Sequence, residues 1–299
     1  MADAAARLDP STGSRSPRAE SKGEQSRADR PLLVLAASKG WVSLDLTGVW
    51  EHRELLFFLT WRDVKLRYKQ TALGVLWAII QPTAPMLIFA LVFGRLVDVP
   101  ADGPYPLFAF AGLLPWTYFA NAVNNSTTSV VSSANLITKV YFPRMIIPGA
   151  ATLAALMDFV IGLGVLALLM VWYGVHWHVT LLLFPLLVAI TTVLALGVGM
   201  FFAGLTVQYR DVRHAMPFLL QFWMFASPII FPSRIVPERW QWALALNPMA
   251  GIIENFRAAL FGRPIDWSAL GFSAATAAAI LIYAAFSFRR FERKFADLM

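Results

Sequence analysis

The chain has 299 residues, 58% of them hydrophobic and 14% charged, with a mean hydropathy of +0.60. Soluble domains run at roughly 45–50% apolar and about 25% charged, so the excess apolar surface has to face something other than water, and an ordinary soluble fold is excluded. The lack of cysteine removes disulfides, thiolate zinc sites and cysteine nucleophiles, and the net charge of +7 becomes a question of where the charges sit.

Residues 1–31 are rich in Ala, Ser, Arg, Asp and Glu and nearly free of branched and aromatic side chains. Such a segment buries too little surface to offset chain entropy and reads as a disordered cytoplasmic tail. Residues 32–70 form a cytoplasmic segment ending in a helix dense in charge and aromatics. At 100° per residue Phe57, Trp61, Val64 and Tyr68 make one stripe, flanked by Arg62, Lys65 and Lys69 on one side and Arg67 on the other, with Asp63 adjoining. Leu55, Leu59 and Leu66 lie nearly opposite. The pattern predicts an amphipathic helix along the membrane surface, with lipid on one side and protein on the other, which reads either as an anchor whose basic residues lie near anionic head groups or as a docking site for a partner.

Residues 71–290 hold the spans. A formal charge at the bilayer centre costs at least about 2.5–3.5 kcal/mol, so charge-free runs locate the crossings. There are 25 such residues between Lys69 and Arg95, 36 between Asp102 and Lys139, and 51 from Phe159 to Tyr209, the last interrupted by the polar-aromatic stretch Trp172 to His178. His214 to Ser233 gives 20 and Trp267 to Phe288 gives 22. Six transmembrane helices follow, in an all-α integral membrane protein. Trp240 to Ile253 is charge-free for only 14 residues and broken at Asn247-Pro248. That length suits a re-entrant external hairpin between the fifth and sixth spans. Residues 291–299 are a cytoplasmic C-terminus. With both termini inside, the inner segments carry 20 basic and 12 acidic residues and the outer segments five of each, with Asp158 in the membrane. Positive-inside asymmetry favours that orientation and accounts for the net charge without nucleic acid.

Three places carry polar or sticky chemistry. The inside loop Lys139-Val140-Tyr141-Phe142-Pro143-Arg144 joins charge, two aromatics and a proline in a short connection, the composition of a knob that inserts into a partner's groove or of an ordinary loop. The second span ends in Asn121, Asn124 and Asn125 followed by hydroxyl residues, too polar to face lipid. Asp158 lies about twelve residues into the third span, with no basic residue on any span to pair with, and reads either as a helix contact or as a proton or cation site. Among many aromatics, Trp77, Trp116, Tyr118, Phe222 and Trp223 are candidates to face inward, where rings suit a sliding glycan. His176 and His178 supply two ligands where a metal needs three or four, so no metal site is expected. No G-x-x-x-x-G-K-[ST] run is present, so no cofactor is expected on the chain itself, and if transport is driven by nucleotide another chain must hold the ATP and its Mg.

The run Trp61 to Gly74, with Trp77 and Gln81-Pro82 after it, resembles the start of the transmembrane permease of type-2 ATP-binding-cassette exporters of polysaccharide, notably the O-antigen exporters. Ala111 to Trp116, Asn135 to Arg144, Tyr209 to Arg213, Ser227 to Pro232 and Asn247 through Phe256-Arg257 are similar to that family in the same order. The resemblance implies a homodimeric channel in the bacterial inner membrane, two docked nucleotide-binding subunits, and a lipid-linked polysaccharide as substrate. It implies that the 57–70 helix is the interfacial helix, that Lys139 to Arg144 is the coupling element seated in the ATPase, and that residues 237–262 are the external gate. Trp240, Trp242, Asn247, Pro248, Glu254 and Arg257 would belong to that gate. Capsule or teichoic-acid export is the near neighbour; a proton-driven glycan flippase using Asp158 and a membrane scaffold are readings of another kind.

Overall fold

The computed structural model describes residues 46–69, 74–140 and 142–298. Tyr141, the tail at 1–31 and the first part of the 32–70 segment lie outside them. Every regular element among the described residues is helical.

A short helix α1 (Leu46–Glu51) leads into α2 (Arg53–Lys69), the expected interface helix. The first span is α3 (Leu76–Leu91), closed by a π turn at Val92–Leu96. Then follow α4 (Tyr105–Ser132), the short α5 (Ala134–Lys139), and the pair α6 (Ile146–Ala154) and α7 (Leu156–Trp172). A 3₁₀ turn at Val179–Leu183 opens α8 (Phe184–Gln208), and α9 covers Val212–Phe225. The hairpin consists of α10 (Glu238–Ala245) and α11 (Pro248–Leu260), and α12 (Trp267–Leu298) closes the chain.

Among the described residues, four helical runs are long and apolar enough to cross a bilayer: Leu76–Leu96, Ile146–Trp172, Val179–Gln208 and Trp267–Glu292. They coincide with four of the six expected crossings. The second, α4, is 28 residues long, but its amides and hydroxyls lower its hydropathy. The fifth differs more: α9 has 14 residues, which rise about 21 Å against a hydrocarbon core of about 30 Å. The reason is local, because Pro228 has no N–H to continue a helix and the chain turns at Ser227–Ile229.

The centre of the bundle is α4, which packs against α3, α6, α7, α8, α9 and α11. Its first half is buried almost all round, with Leu107, Phe108, Phe110 and Phe119 fully enclosed. Helices α8 and α12 lie along each other, and Gly197 permits it: a Cβ there would come within 2.8 Å of the Leu281 backbone nitrogen. A second apolar cluster joins α2 to the far end of the bundle through Leu59, Phe142, Ile147, Met200 and Phe288.

Candidate functional site

Three polar assemblies stand out in this apolar frame. The first is where α2 meets the third span. A Cβ on Gly149 would lie 3.5 Å from Leu56 Cδ1, and farther along the same helices Arg67 and Tyr68 both hydrogen-bond the carboxylate of Asp158. Eleven residues of α2 therefore match nine of α6–α7, so α2 runs alongside the span in the same direction rather than meeting it at one end. The inward face of α2 is Leu59 and Val64, while Phe57 and Trp61 are exposed, so the aromatic stripe is divided between the two sides. Of the flanking charges, Arg62 pairs with Asp63 at 2.9 Å, Lys65 sits over the Trp61 ring at 5.5 Å, and Lys69 is exposed.

The carboxylate of Asp158 thus has a cationic partner that comes from the interface helix and not from a span. Around the pair lies a cavity of about 440 Å³ that also touches Trp77, Gln81, Asn121 and Asn125. Asn121 donates to Gln81 Oε1 at 3.0 Å. Asn121, Asn125, Thr128 and Ser132 follow i, i+4, i+7, i+11, so they form one face of α4, and a smaller cavity continues along it past Arg62 and Asp63 to Ser133. Asn124, one residue off that face, is half-buried. The arrangement is a polar cleft that runs from one end of α4 to its middle. It offers hydrogen-bond donors and acceptors, the ion pairs Arg67–Asp158 and Arg62–Asp63, and the exposed edge of Trp77.

The second assembly is the turn after α4. Lys139 and Val140 are exposed, but Phe142 is buried against Leu59 and Phe288, and Arg144 donates to the Glu292 carbonyl at 3.1 Å. Pro143 is half-buried between them. The loop therefore has an outward edge, Lys139-Val140, and an inward anchor, Phe142 with Arg144, that ties it to α2 and α12.

The third assembly lies at the other end of α4 and is built around Arg257, the largest fully buried side chain. Its Nε donates to the Phe108 carbonyl at 3.2 Å, Nη1 to Pro228 at 2.6 Å and to Glu254 Oε1 at 3.4 Å, and Nη2 to Ile229 at 2.6 Å. The guanidinium also lies 3.6 Å from the centre of the Phe108 ring. Gly112 makes the space, since a Cβ there would stand 2.7 Å from Nη2. Close by, Asn247 caps α11 through the Met249 N–H, accepts the Trp223 indole N–H at 2.9 Å and donates to Ser227 Oγ at 2.9 Å. Pro248 follows as the first residue of α11, where its missing N–H costs nothing. Segments 111–116, 227–232 and 247–257, far apart in the chain, meet here. Sequence reading places Arg257 on the outside as a gate charge; its burial is signalled only by its position inside the apolar run Phe256 to Leu260.

The proposed aromatics fall into two groups. Trp116 and Tyr118 are enclosed, Tyr118 in a hydrogen bond with Thr192 Oγ1 at 2.8 Å, and Trp223 packs on Trp116 and Phe119 with ring centres 6.4 and 5.0 Å away. Trp77 and Phe222 are exposed, as are Trp240 and Trp242 on α10.

Apolar spans, a polar cleft along α4 and a buried polar knot at its opposite end define a helical membrane protein with an architecture suited to transport. The chain belongs to the ABC-2 type transporter family, whose model matches residues 54–261. It is 31% identical over 256 residues to the O-antigen export system permease protein RfbA of Myxococcus xanthus, which covers 83% of this chain and 96% of that protein. It is 25% identical over 252 residues to the protein of the same name from Klebsiella pneumoniae, covering 82% and 95%. The polysialic acid transport protein KpsM of Escherichia coli is 28% identical over 203 residues, 67% of this chain and 78% of that protein. The chain is a permease of an ABC exporter.

Proposed function

We propose that this permease moves a lipid-linked polysaccharide, the O-antigen of lipopolysaccharide, across the bacterial inner membrane, as a homodimer driven by a separate ATPase subunit. The observation that carries the reading is the end-to-end match to the Myxococcus xanthus O-antigen permease, 96% of which is covered. In this reading α3, α4, α6–α7, α8, α9 with its continuation through Ile230, and α12 are six crossings, with both termini in the cytoplasm. The α10–α11 hairpin is re-entrant and forms the external gate. The turn between α5 and α6 is the coupling element, and ATP binding in the partner would shift it together with α2. Support comes from the positive-inside charge count, and from Phe142 and Arg144, which link that turn mechanically to α2 and α12.

The test is reconstitution. Vesicles containing this chain with its cognate ATPase are expected to translocate lipid-linked O-polysaccharide in an ATP-dependent manner, and the chain alone is expected to hydrolyse no ATP. Hydrolysis by the chain alone overturns the division of labour. Transport of capsular polysaccharide in preference to O-antigen would assign the neighbouring substrate class, which the KpsM match also supports.

A further inference from the structure

At the end of the bundle that holds Arg257, a cavity of about 840 Å³ opens between α10, α11 and the first turns of α12. It adjoins the Arg257 knot only through Glu254. Its floor is apolar, with Ala245, Ala258 and Phe272 among the lining, and its rim is charged, with Arg234, Arg263, Glu254 and Asp266. These four groups are only partly engaged. Arg234 and Arg263 share the single carboxylate of Asp102, at 2.6 and 2.7 Å, and Arg234 Nη2 also donates to the Pro100 carbonyl at 3.1 Å, so the two cations have one anion between them. Glu254 takes the Ser233 N–H and Arg257 on the same oxygen, Oε1, and Asp266 takes the Ala269 N–H and the Ser268 hydroxyl on Oδ1 alone. The rim therefore offers cationic donors and carboxylate oxygens together.

The surroundings give the depth. Trp240 and Trp242 on α10 and Trp267 at the start of α12 are all more than half exposed. Indoles with an apolar body and one N–H settle at the level of lipid head groups, and α12 runs from Trp267 as an apolar span. An apolar floor reaching towards acyl chains and a rim of both charges at head-group depth suit an amphiphile with a phosphate and an ammonium. A primary ammonium donates N–H groups to two carboxylates, which a quaternary choline does not, and a glycerol head group has no cation at all.

We propose that this cavity binds an ethanolamine glycerophospholipid of the surrounding leaflet. The phosphate rests on Arg234 and Arg263, the ammonium on Glu254 and Asp266, and an acyl chain on the floor beside Phe272. A lipid seated there holds the hairpin against α12, so the position of the hairpin depends on head-group composition.

The cysteine-free chain makes the test direct. Ala243→Cys is exposed on α10 and outside the cavity lining, and gives one labelling point for a fluorophore in the full chain reconstituted into vesicles. Brominated lipids with identical acyl chains and ethanolamine, choline or glycerol head groups are compared as quenchers at equal mole fraction. The ethanolamine lipid is expected to compete about tenfold better than the choline lipid, the scale of one charge-assisted hydrogen bond. Arg234→Gln plus Arg263→Gln, which removes the phosphate contacts, should weaken quenching by the ethanolamine and choline lipids alike, and the preference should vanish with Ala245→Trp, which fills the floor from an exposed position without touching a charge. Equal quenching by the three head groups overturns the proposal. So does a preference for the glycerol lipid, which would make the rim an anion site, and so does efficient disulfide formation between two Ala243→Cys copies, which would make the cavity a contact between protomers.

Discussion

Arg257 is fully buried, so its donors have to find partners within the protein. Three carbonyls from two separate segments and Glu254 Oε1 accept four hydrogen bonds from it, and the planar fork is what spans those positions. Arg257→Lys keeps the charge but places one compact ammonium where carbonyls lie on several sides. Each carbonyl left buried and unpaired costs about 1–3 kcal/mol, so a clear fall in the melting temperature of the purified chain is expected, with Arg257→Ala lower still. Phe142 is the second residue whose direction matters. Phe142→Ala should destabilise by about 3 kcal/mol through the cavity it leaves, whereas Val140→Ala and Lys139→Ala, on the exposed edge, should leave thermal unfolding unchanged and weaken pull-down of the ATPase instead. Asp266 is outside the spans, and the Ala269 N–H and Ser268 hydroxyl bonded to it hold its carboxyl below the ordinary range. A depressed carboxylate contributes stability that is complete above its unfolded value and lost as pH falls through the folded one. The start of α12 should therefore loosen acidic of about pH 4, and Asp266→Asn should remove that part of the acid dependence in a pH series of hydrogen exchange.

At the scale of helices, the pairing of α2 with the third span is the feature with most reach. Asp158 is held by Arg67 and Tyr68 from a segment 90 residues earlier, so the cleft and the turn between α5 and α6 share one helix. Asp158→Asn leaves the guanidinium without its anion, and Arg67→Ala leaves the carboxylate; either should impair export. Exchanging the two, Arg67→Asp with Asp158→Arg, should recover part of the loss if pairing is what matters, measured as export of the polysaccharide in cells lacking the native permease. A carboxylate working as a proton carrier would not be rescued by the exchange. Helices α3, α8 and α12 were readable from their charge-free runs, because charge exclusion depends only on composition, and α6–α7 from the run that begins at Phe159 taken with the apolar residues just before Asp158. The end of α9 was not, since the apolar run continues past the Ser227-Pro228 break and hydropathy does not register a lost N–H. Nor was the partner of Asp158, because nothing local to the third span reports a basic residue arriving from another element. Periodicity marked both faces of α2 without saying which one meets protein, and packing assigns that side to Leu59 while Phe57 and Trp61 stay exposed.

For the molecule as a whole, α4 joins the two ends: the polar cleft lies along its second half and Arg257 is bonded to its first turn. Its polar face has a bearing on how the chain is made. A helix with Asn121, Asn125, Thr128 and Ser132 along one side partitions poorly into lipid by itself, and it falls outside the four runs apolar enough to cross. In the six-crossing arrangement proposed above, a neighbour that covers those groups would ease its entry, and α3, with Gln81 facing Asn121, is the first available during synthesis. Gln81→Leu is therefore expected to leave the first span's insertion intact while more α4 stalls, read out by glycosylation or alkylation tags placed in the loops on either side. On the six-crossing reading proposed above, α4 and α3 would enter the bilayer as one unit, the polar helix carried in by its apolar partner.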